Sequence, residues 1–479
     1  MRLEKHPILK FKRKKEITFF YEGQAIIAYE DEPIAAALLA AGITTLSESF
    51  RFHRARGFFC AIGKCASCVM EVDGVSNIRT CIVPAKYGMK VKKQTEAKIF
   101  PEELSGSQIF KQTPVIKTDF AIVGGGPAGL SAAIYASRFG IKPLIIEENF
   151  LIGGQLIKQT HKFFGSKSHY ASIRGIDIAK ILINDAQERG INIWTSSSVV
   201  GFYPGNILGV VKEGRYYKVE AKTILISTGA SEKSILFPGN DLPGVYGAGA
   251  IQTLMNVYGI TPGKKVLILG AGNIGVIVAY QLLQAGIEVV AIAEALPKVG
   301  AYIVHSAKLK RLGVPIFTSH TISYVFGKDK VEQAEIAEIN HKWQKIQGTE
   351  KRLNVDTVGL AVGLSPSVEI LSQAGAKMTY IPELGGYISL HNMNMETSIP
   401  GVFIAGDISG IEEASSAMLE GRIAGLNAAK KFIGENKELE REIIKNQKEL
   451  VELREGPFGE KIRIGNKKLY KEAKDNGIH

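Results

Sequence analysis

The middle of the chain alternates short apolar runs with glycine turns and small-residue helices. Phe120–Val123 is a buried-strand pattern, and Pro127 opens a helix that runs to about Phe139 and stops at Gly140. A second apolar strand, Pro143–Ile146, follows. The same order returns later: Val266–Leu269 as strand, a helix to about Gln284, and Val289–Ala293 as strand. Thr223–Gly229, Val355–Val362 and Gly401–Asp407 read as further buried strands, Asn192–Val200 as one strand, and Ile178–Arg189 and Ala414–Lys431 as helices. The first residues are patterned differently. Two strands, Glu16–Tyr21 and Gln24–Tyr29, flank the turn Glu22-Gly23, and a compact helix covers Ile34–Ala41. A cysteine loop and the alternating segment VMEVDG come next.

Each apolar repeat carries a glycine fingerprint. Gly124, Gly126 and Gly129, with Pro127 and Ala128 between, form G-x-G-x-x-G; Gly270, Gly272 and Gly275 form a second. The first glycine allows the sharp turn, the second lets a pyrophosphate approach the backbone, and the third lets the helix lie close on the sheet. Free N–H groups and the dipole at the helix start receive phosphate. Glu147 and its neighbour Glu148 end the second strand of the first unit. Glu147 lies 18 residues past Gly129, and Glu294 lies 19 past Gly275. An acid there accepts hydrogen bonds from a ribose diol and favours NAD over NADP at the second loop. A glycine-rich structural turn is the alternative at both places, and the second loop can also belong to a duplicated domain whose site has closed.

Other segments extend the first site. Gly154 and Gln155, in a GGQ segment, can approach an isoalloxazine ring or form an ordinary glycine turn. Val199 lies on a strand where backbone often meets adenine, and Thr228-Gly229 close the first half of the nucleotide domain. Gly406 and Asp407 end the last strand; Asp407 would bond a ribityl or pyrophosphate group, or would cap a helix.

All four cysteines fall within 22 residues: Cys60, Cys65, Cys68 and Cys81, spaced C-x4-C-x2-C-x12-C. This is the plant-type ferredoxin spacing for a [2Fe–2S] cluster. Tetrahedral zinc is the competing reading, weakened by the x4 gap and the lack of a second C-x-x-C pair. The strand–strand–helix–cysteine-loop–strand order is that of a β-grasp domain.

A length of 479 residues points to about three domains, with 45% hydrophobic and 22% charged residues, as in an ordinary soluble protein. The expected divisions are 1–100 (ferredoxin-like), 101–117 (linker), 118–242 (first half of an FAD domain), 243–365 (inserted NAD-type domain), 366–432 (second half) and 433–479 (helical tail). The fold class is thus α/β: a β-grasp ferredoxin-like N-terminal domain and two Rossmann-like FAD/NAD(P)-binding domains. No apolar run is long enough to span a membrane, and MRLEKHPILKFKRKK has no following apolar region, so a cytoplasmic location is expected. The net charge of +12 is spread along the chain, without an aromatic-interleaved basic stripe, which disfavours nucleic acid. In Asn436–Glu455, Leu439, Ile443, Leu450 and Leu453 stand near heptad spacing, either for a partner subunit or as a solvated helix. No acid–base or nucleophile constellation is recognisable, and His53, His161 and His169 read as structural or surface residues.

The stretches CAIGKCASC with Cys81, GGGPAGL, GGQ, GAGNIG, TSIPGVFIAGDISGIEEASSAM and EGRIAGLNAA together resemble the alpha subunits of multi-subunit amine oxidoreductases. That family includes dye-linked L-proline dehydrogenase, heterotetrameric sarcosine oxidase, hydroxyproline dehydrogenase and opine oxidase. It fuses a ferredoxin-like module to the pyridine-nucleotide-disulfide-oxidoreductase fold. The resemblance implies an electron-relay subunit beside an FAD-containing catalytic beta subunit, with FMN at the subunit interface and L-proline as the foremost substrate. It assigns the cluster to the four cysteines, and FAD, or in some relatives ATP or NAD, to Gly124, Gly126, Gly129, Glu147 and Asp407. The other readings are an NADH:acceptor oxidoreductase and a non-redox accessory subunit. No cysteine follows Cys81, which argues against the second cluster of some relatives, and the redox C-x-x-C of disulfide reductases is absent.

Overall fold

The computed structural model describes residues 1–95, 112–164 and 166–478. Two compact units emerge. One joins residues 1–95 to Glu232–Gly363, and the other joins 112–231 to 364–478.

In the second of these units the central sheet runs Asn192–Trp194, Pro143–Ile146, Val115–Val123, Arg215–Ile226, with Val402–Ile404 parallel to the last. Register aligns Val123 with Ile146 and with Ile226, and Ile226 with Ile404. The residues just past each strand therefore share one edge of the sheet, which is where ligands bind in open parallel sheets. Those residues are Gly124, Glu147, Thr228-Gly229 and Gly406-Asp407. The antiparallel strands Ser197–Tyr203 and Ile207–Lys212 extend from Arg215–Ile226.

Helices Pro127–Ser137 and Ala414–Ile433 cross at very close range. A Cβ at Gly421 or Gly425 would strike the carbonyl oxygen of Ala128 or Ala132, so glycine sets how near the two backbones come. Phe120, Ile122, Ile145, Ile224 and Phe403 are fully buried beneath them.

The other unit repeats this plan. Its sheet runs Val245–Gly247, Thr357–Leu360, Lys265–Leu269, Glu288–Glu294, Ile316–Thr318, all parallel, and a three-stranded antiparallel sheet, His320–Phe326, Gln333–Glu338, Lys351–Asn354, is inserted in the chain between Ile316–Thr318 and Thr357–Leu360. The β-grasp module belongs to the same unit. Its mixed sheet has the order Gln24–Tyr29, Glu16–Tyr21, Lys90–Lys93, Val69–Val72, Val75–Arg79, with Ile34–Ala40 packed on it. Leu3, Phe19, Leu38, Met70 and Val91 form one apolar cluster with Tyr246, Leu254, Val276 and Leu282, so the module and the second parallel sheet share a core.

Several expectations change. Asn192–Val200 is not one strand: Asn192–Trp194 pairs with Pro143–Ile146, the chain turns at Ser196 in the left-handed region (φ 48), and Ser197–Tyr203 pairs elsewhere. The strand opening the first βαβ begins at Val115, inside the expected linker; residues 101–111 of that linker lie outside the described residues. The tail helix Lys437–Leu453 is neither solvated nor held for a partner through its heptad positions. Leu439, Ile443 and Leu450 are buried in the core of their own unit, and a further helix, Glu460–Asp475, follows.

Candidate nucleotide and iron–sulfur sites

The first glycine loop is closed by an acid. Gly125 N–H donates to Glu147 Oε2 at 2.7 Å and Asn149 N–H to Oε1 at 2.8 Å. Burial pushes the Glu147 carboxyl up, and these two N–H bonds partly offset it. A Cβ at Gly124 (φ 104) would run into Ser227 O, and one at Gly129 into Gly124 O. Gly126 is different. Its φ of −78° suits any residue, and a Cβ there would meet nothing nearer than Gly154 Cα at 3.9 Å. This is the open face that a pyrophosphate would use.

The other predicted residues gather around the loop unevenly. Gly153 N–H donates to Gly125 O at 2.9 Å, and Gly154 packs so closely on Gly126 that its own Cβ would lie 2.8 Å from Gly126 Cα. Gln155 is exposed on the turn Gly154–Lys158. Gly406 faces the start of the first helix, where its Cβ would meet that of Ala128 at 3.1 Å. Thr228 Oγ1 donates to Ser367 O at 2.8 Å, and Gly229 (φ 67) has open space. Glu148 is exposed and accepts from Ser198 Oγ at 3.3 Å; Val199 sits on the antiparallel extension, at a bulge.

Asp407 lies beside Glu412 and Glu420. Burial first, and then repulsion from Glu420 and Glu412, pushes its carboxyl up to about 7, against a hydrogen bond from the Glu412 backbone. Sequence reasoning singled out Asp407 but missed Glu412, Glu420 and Arg454, whose guanidinium bonds both glutamates.

The second loop copies the first. Ala271 N–H donates to Glu294 Oε2 at 2.6 Å and Leu296 N–H to Oε1 at 2.8 Å. Gly270 (φ 99) and Gly275 would clash with Ala361 O and Gly270 O if they carried a Cβ, whereas Gly272 has nothing within 4 Å. Ala301 N–H donates to Ala271 O at 3.0 Å, as Gly153 does to Gly125. That backing segment was also missed; its only signal is Gly300.

The four cysteines come together. Cys60, Cys68 and Cys81 are buried and Cys65 is half-buried. Cys60 shares hydrogen bonds with Cys65 and Cys81, and Cys68 with Cys81. These bonds, with N–H groups of Ile62 and Cys65, pull the Cys60 thiol down; bonding to Cys60, and burial, push Cys65 up. Ala61 (φ 58), Gly63 (φ 73) and Ala66 (φ 60) all adopt left-handed backbone, so the loop curls and aims N–H groups at sulfur, Cys65 N to Cys60 Sγ at 3.5 Å. Alanine accepts that conformation at a cost, which fits a loop wrapped around a group it must hold. Among the described residues no three His, Cys, Asp or Glu side chains converge on a one-ion site. A two-iron cluster divides four thiolates between two metals, and the N–H-lined set of four sulfurs, three of them on buried residues, fits one.

Two dinucleotide-binding sheets, one interrupted by the other, define the two-domain flavoprotein class of oxidoreductases. The model of the pyridine nucleotide-disulphide oxidoreductases matches residues 118–421, and the chain belongs to that family. The model of the 2Fe-2S iron-sulfur cluster binding domain matches residues 14–96. The alpha subunit of sarcosine oxidase from Rhizobium meliloti is 23% identical over 85% of this chain. An opine oxidase subunit from Agrobacterium tumefaciens is 26% identical over 65% of it. The chain spans 45% of the length of the sarcosine oxidase relative and 65% of the opine oxidase relative. The crystal structure of L-proline dehydrogenase from P. horikoshii is 25% identical, with a TM-score of 0.69 over 94% of this chain and 79% of that one. Thioredoxin reductase of T. acidophilum, at 24% identity and a TM-score of 0.55 over 66% of this chain and 99% of its own, shares the fold. Among the described residues no helix is long and apolar enough to cross a membrane.

Proposed function

We propose that this chain is the electron-relay, nucleotide-binding alpha subunit of a multi-subunit amino-acid dehydrogenase, paired in the cytoplasm with an FAD-containing catalytic beta subunit, and that the amino acid is L-proline. What carries the reading is the union in one chain of an N–H-lined four-cysteine loop with a glycine loop closed by Glu147. When bound, a flavin exchanges two-electron for one-electron steps and a [2Fe–2S] cluster carries single electrons. Gly124, Gly126, Gly129 and Glu147 would bind the adenosine diphosphate part of FAD, with ATP or NAD as the alternatives, and Asp407 the remainder. Cys60, Cys65, Cys68 and Cys81 would hold the cluster. An FMN between subunits would complete the relay. By the resemblance to amine oxidoreductase alpha subunits, the amine is oxidised in the partner; the missing C-x-x-C of disulfide reductases disfavours disulfide reduction here. L-proline is favoured by the coverage of the proline dehydrogenase structure; sarcosine and opines are the other amines named among the relatives.

A second reading, NADH oxidation through the same FAD and cluster, draws on the second loop and its Glu294.

The test is cofactor release from the native protein with its co-purifying chain. FAD, two irons and two labile sulfides per alpha chain, with dye reduction by L-proline only when the second chain is present, are expected. Rapid flavin bleaching by NADH in the isolated chain would replace the first reading by the second. Absence of iron would remove the relay.

A further inference from the structure

Arg454 follows the helix Lys437–Leu453 and lies far along the chain from the glycine loop, yet it bonds Glu420, whose other oxygen holds the turn after the last strand of that sheet. Its Nε donates to both Glu412 oxygens at 3.0 Å and its Nη2 to Glu412 Oε2 at 2.5 Å and Glu420 Oε1 at 2.6 Å. The other Glu420 oxygen accepts from Gly406 N–H at 2.8 Å and Ser409 Oγ at 2.7 Å. Glu420 is thus a two-sided bridge: one oxygen holds the backbone turn at Gly406-Asp407, and the other is held by the tail. Glu420 is buried, and the Arg454 side chain is only 11% exposed. Tyr470, from the last helix, also bonds Arg454, and Arg463 Nη1 fixes the Arg454 carbonyl at 2.5 Å.

The charges do not balance. Asp407, Glu412 and Glu420 interact as a group with Arg454 as the cation bound to two of them. Such a cluster beside the start of the helix at Pro127 opposes an anionic pyrophosphate the more, the less of its charge is offset. Burial alone would pull the Arg454 guanidinium down, but attraction to Glu420 and Glu412 more than offsets this and keeps it protonated.

We propose that the C-terminal helices, acting through Arg454, are a positioning device for the first nucleotide site: the guanidinium ties Glu412 to Glu420 and offsets one of their two charges, and so lets Glu420 hold the Gly406-Asp407 turn in its binding form. The inference rests on the reading that this site holds a nucleotide, and it adds a determinant outside the matched family segment, which ends at 421.

The experiment removes nucleotide from the full-length protein and titrates FAD back into wild type, Arg454→Met, Arg454→Lys and the double variant Arg454→Met with Glu412→Gln, alongside thermal unfolding of each nucleotide-free form. Arg454→Met is expected to bind FAD at least about tenfold more weakly. The double variant, with one carboxylate fewer, should regain most of that loss. Arg454→Lys, which keeps the charge without the fork, should stay within about threefold of wild type while unfolding earlier, and it serves if Arg454→Met does not fold. FAD affinity unchanged in Arg454→Met, or a loss that Glu412→Gln leaves in place, or a loss as large in Arg454→Lys, overturns the inference alone. Wild type that takes up no FAD, ATP or NAD overturns the functional reading of this site as well.

Discussion

In the first glycine loop the middle N–H, from Gly125, meets Glu147; in the second the same N–H, from Ala271, meets Glu294, and the distances differ by about 0.1 Å. Past the loops the two sheets part. The first ends on Gly406-Asp407, among Glu412, Glu420 and Arg454. The second ends on Val245–Gly247, which carries no acid; there Glu232 accepts from Gly249 N–H at 2.6 Å and occupies the space a Cβ at Gly247 would need. The difference teaches that a nucleotide loop and a nucleotide site are separable. The loop follows from strand, turn and helix, while the remainder depends on what other strands deliver to the same edge.

The strongest way to break the parallel is at the third glycines. Gly129→Ala and Gly275→Ala each place a Cβ against a backbone oxygen, and each should cost about 3 kcal/mol in thermal unfolding. A large effect at one and none at the other would mean that the two loops are not built alike.

Next comes Asp407, which has no counterpart in the second sheet. A carboxyl whose folded value lies above its unfolded value favours the folded state at low pH; that contribution is lost as pH rises from 3.8 to about 7 and stays lost above. Asp407→Asn should therefore stabilise the nucleotide-free protein by about 2 kcal/mol at pH 8 and hardly change it at pH 4. A pH-independent change in unfolding temperature would contradict this.

The second glycines separate binding from folding. Gly126→Ala and Gly272→Ala have room and ordinary backbone angles, so unfolding should move little. Gly126→Ala should nevertheless weaken FAD binding at least about tenfold, read by equilibrium titration. If the second site is used, Gly272→Ala should weaken NADH binding while FAD content stays intact.

The smallest effects belong to the acids. Glu147→Gln and Glu294→Gln keep an acceptor for one of the two N–H groups and should cost about 1 kcal/mol each in denaturant titration. Raised nucleotide affinity in either variant would contradict a ribose-binding role.

Much of both loops was legible because their chemistry is local. Gly124 and Gly270 need positive φ, Gly129 and Gly275 need close helix packing, and each acid stands one strand later, all within a single βαβ unit. The cysteine loop was legible for the same reason. What could not be read was delivered from elsewhere. Arg454 sits 34 and 42 residues from its two acids, in a charged tail where nothing in the pattern marks one arginine among the others. The apolar stripe of Leu439, Ile443 and Leu450 was visible, but a stripe does not say which surface covers it. The run SSSVV after Thr195 reads as continuous strand, and only competition for two different partner strands breaks it at Ser196.

By itself, then, the sequence determined the repeated βαβ plan, the β-grasp module with its four sulfurs, and the positions where only glycine fits, because each is fixed by contacts within a few tens of residues. Tertiary structure alone decided that the strand ends line up on one edge, that the tail helix Lys437–Leu453 buries its stripe in the core of that unit, and that the Arg454 guanidinium ties Glu412 to Glu420 there. Those outcomes depend on register between distant strands and on which charges burial forces together, and neither is encoded by local periodicity.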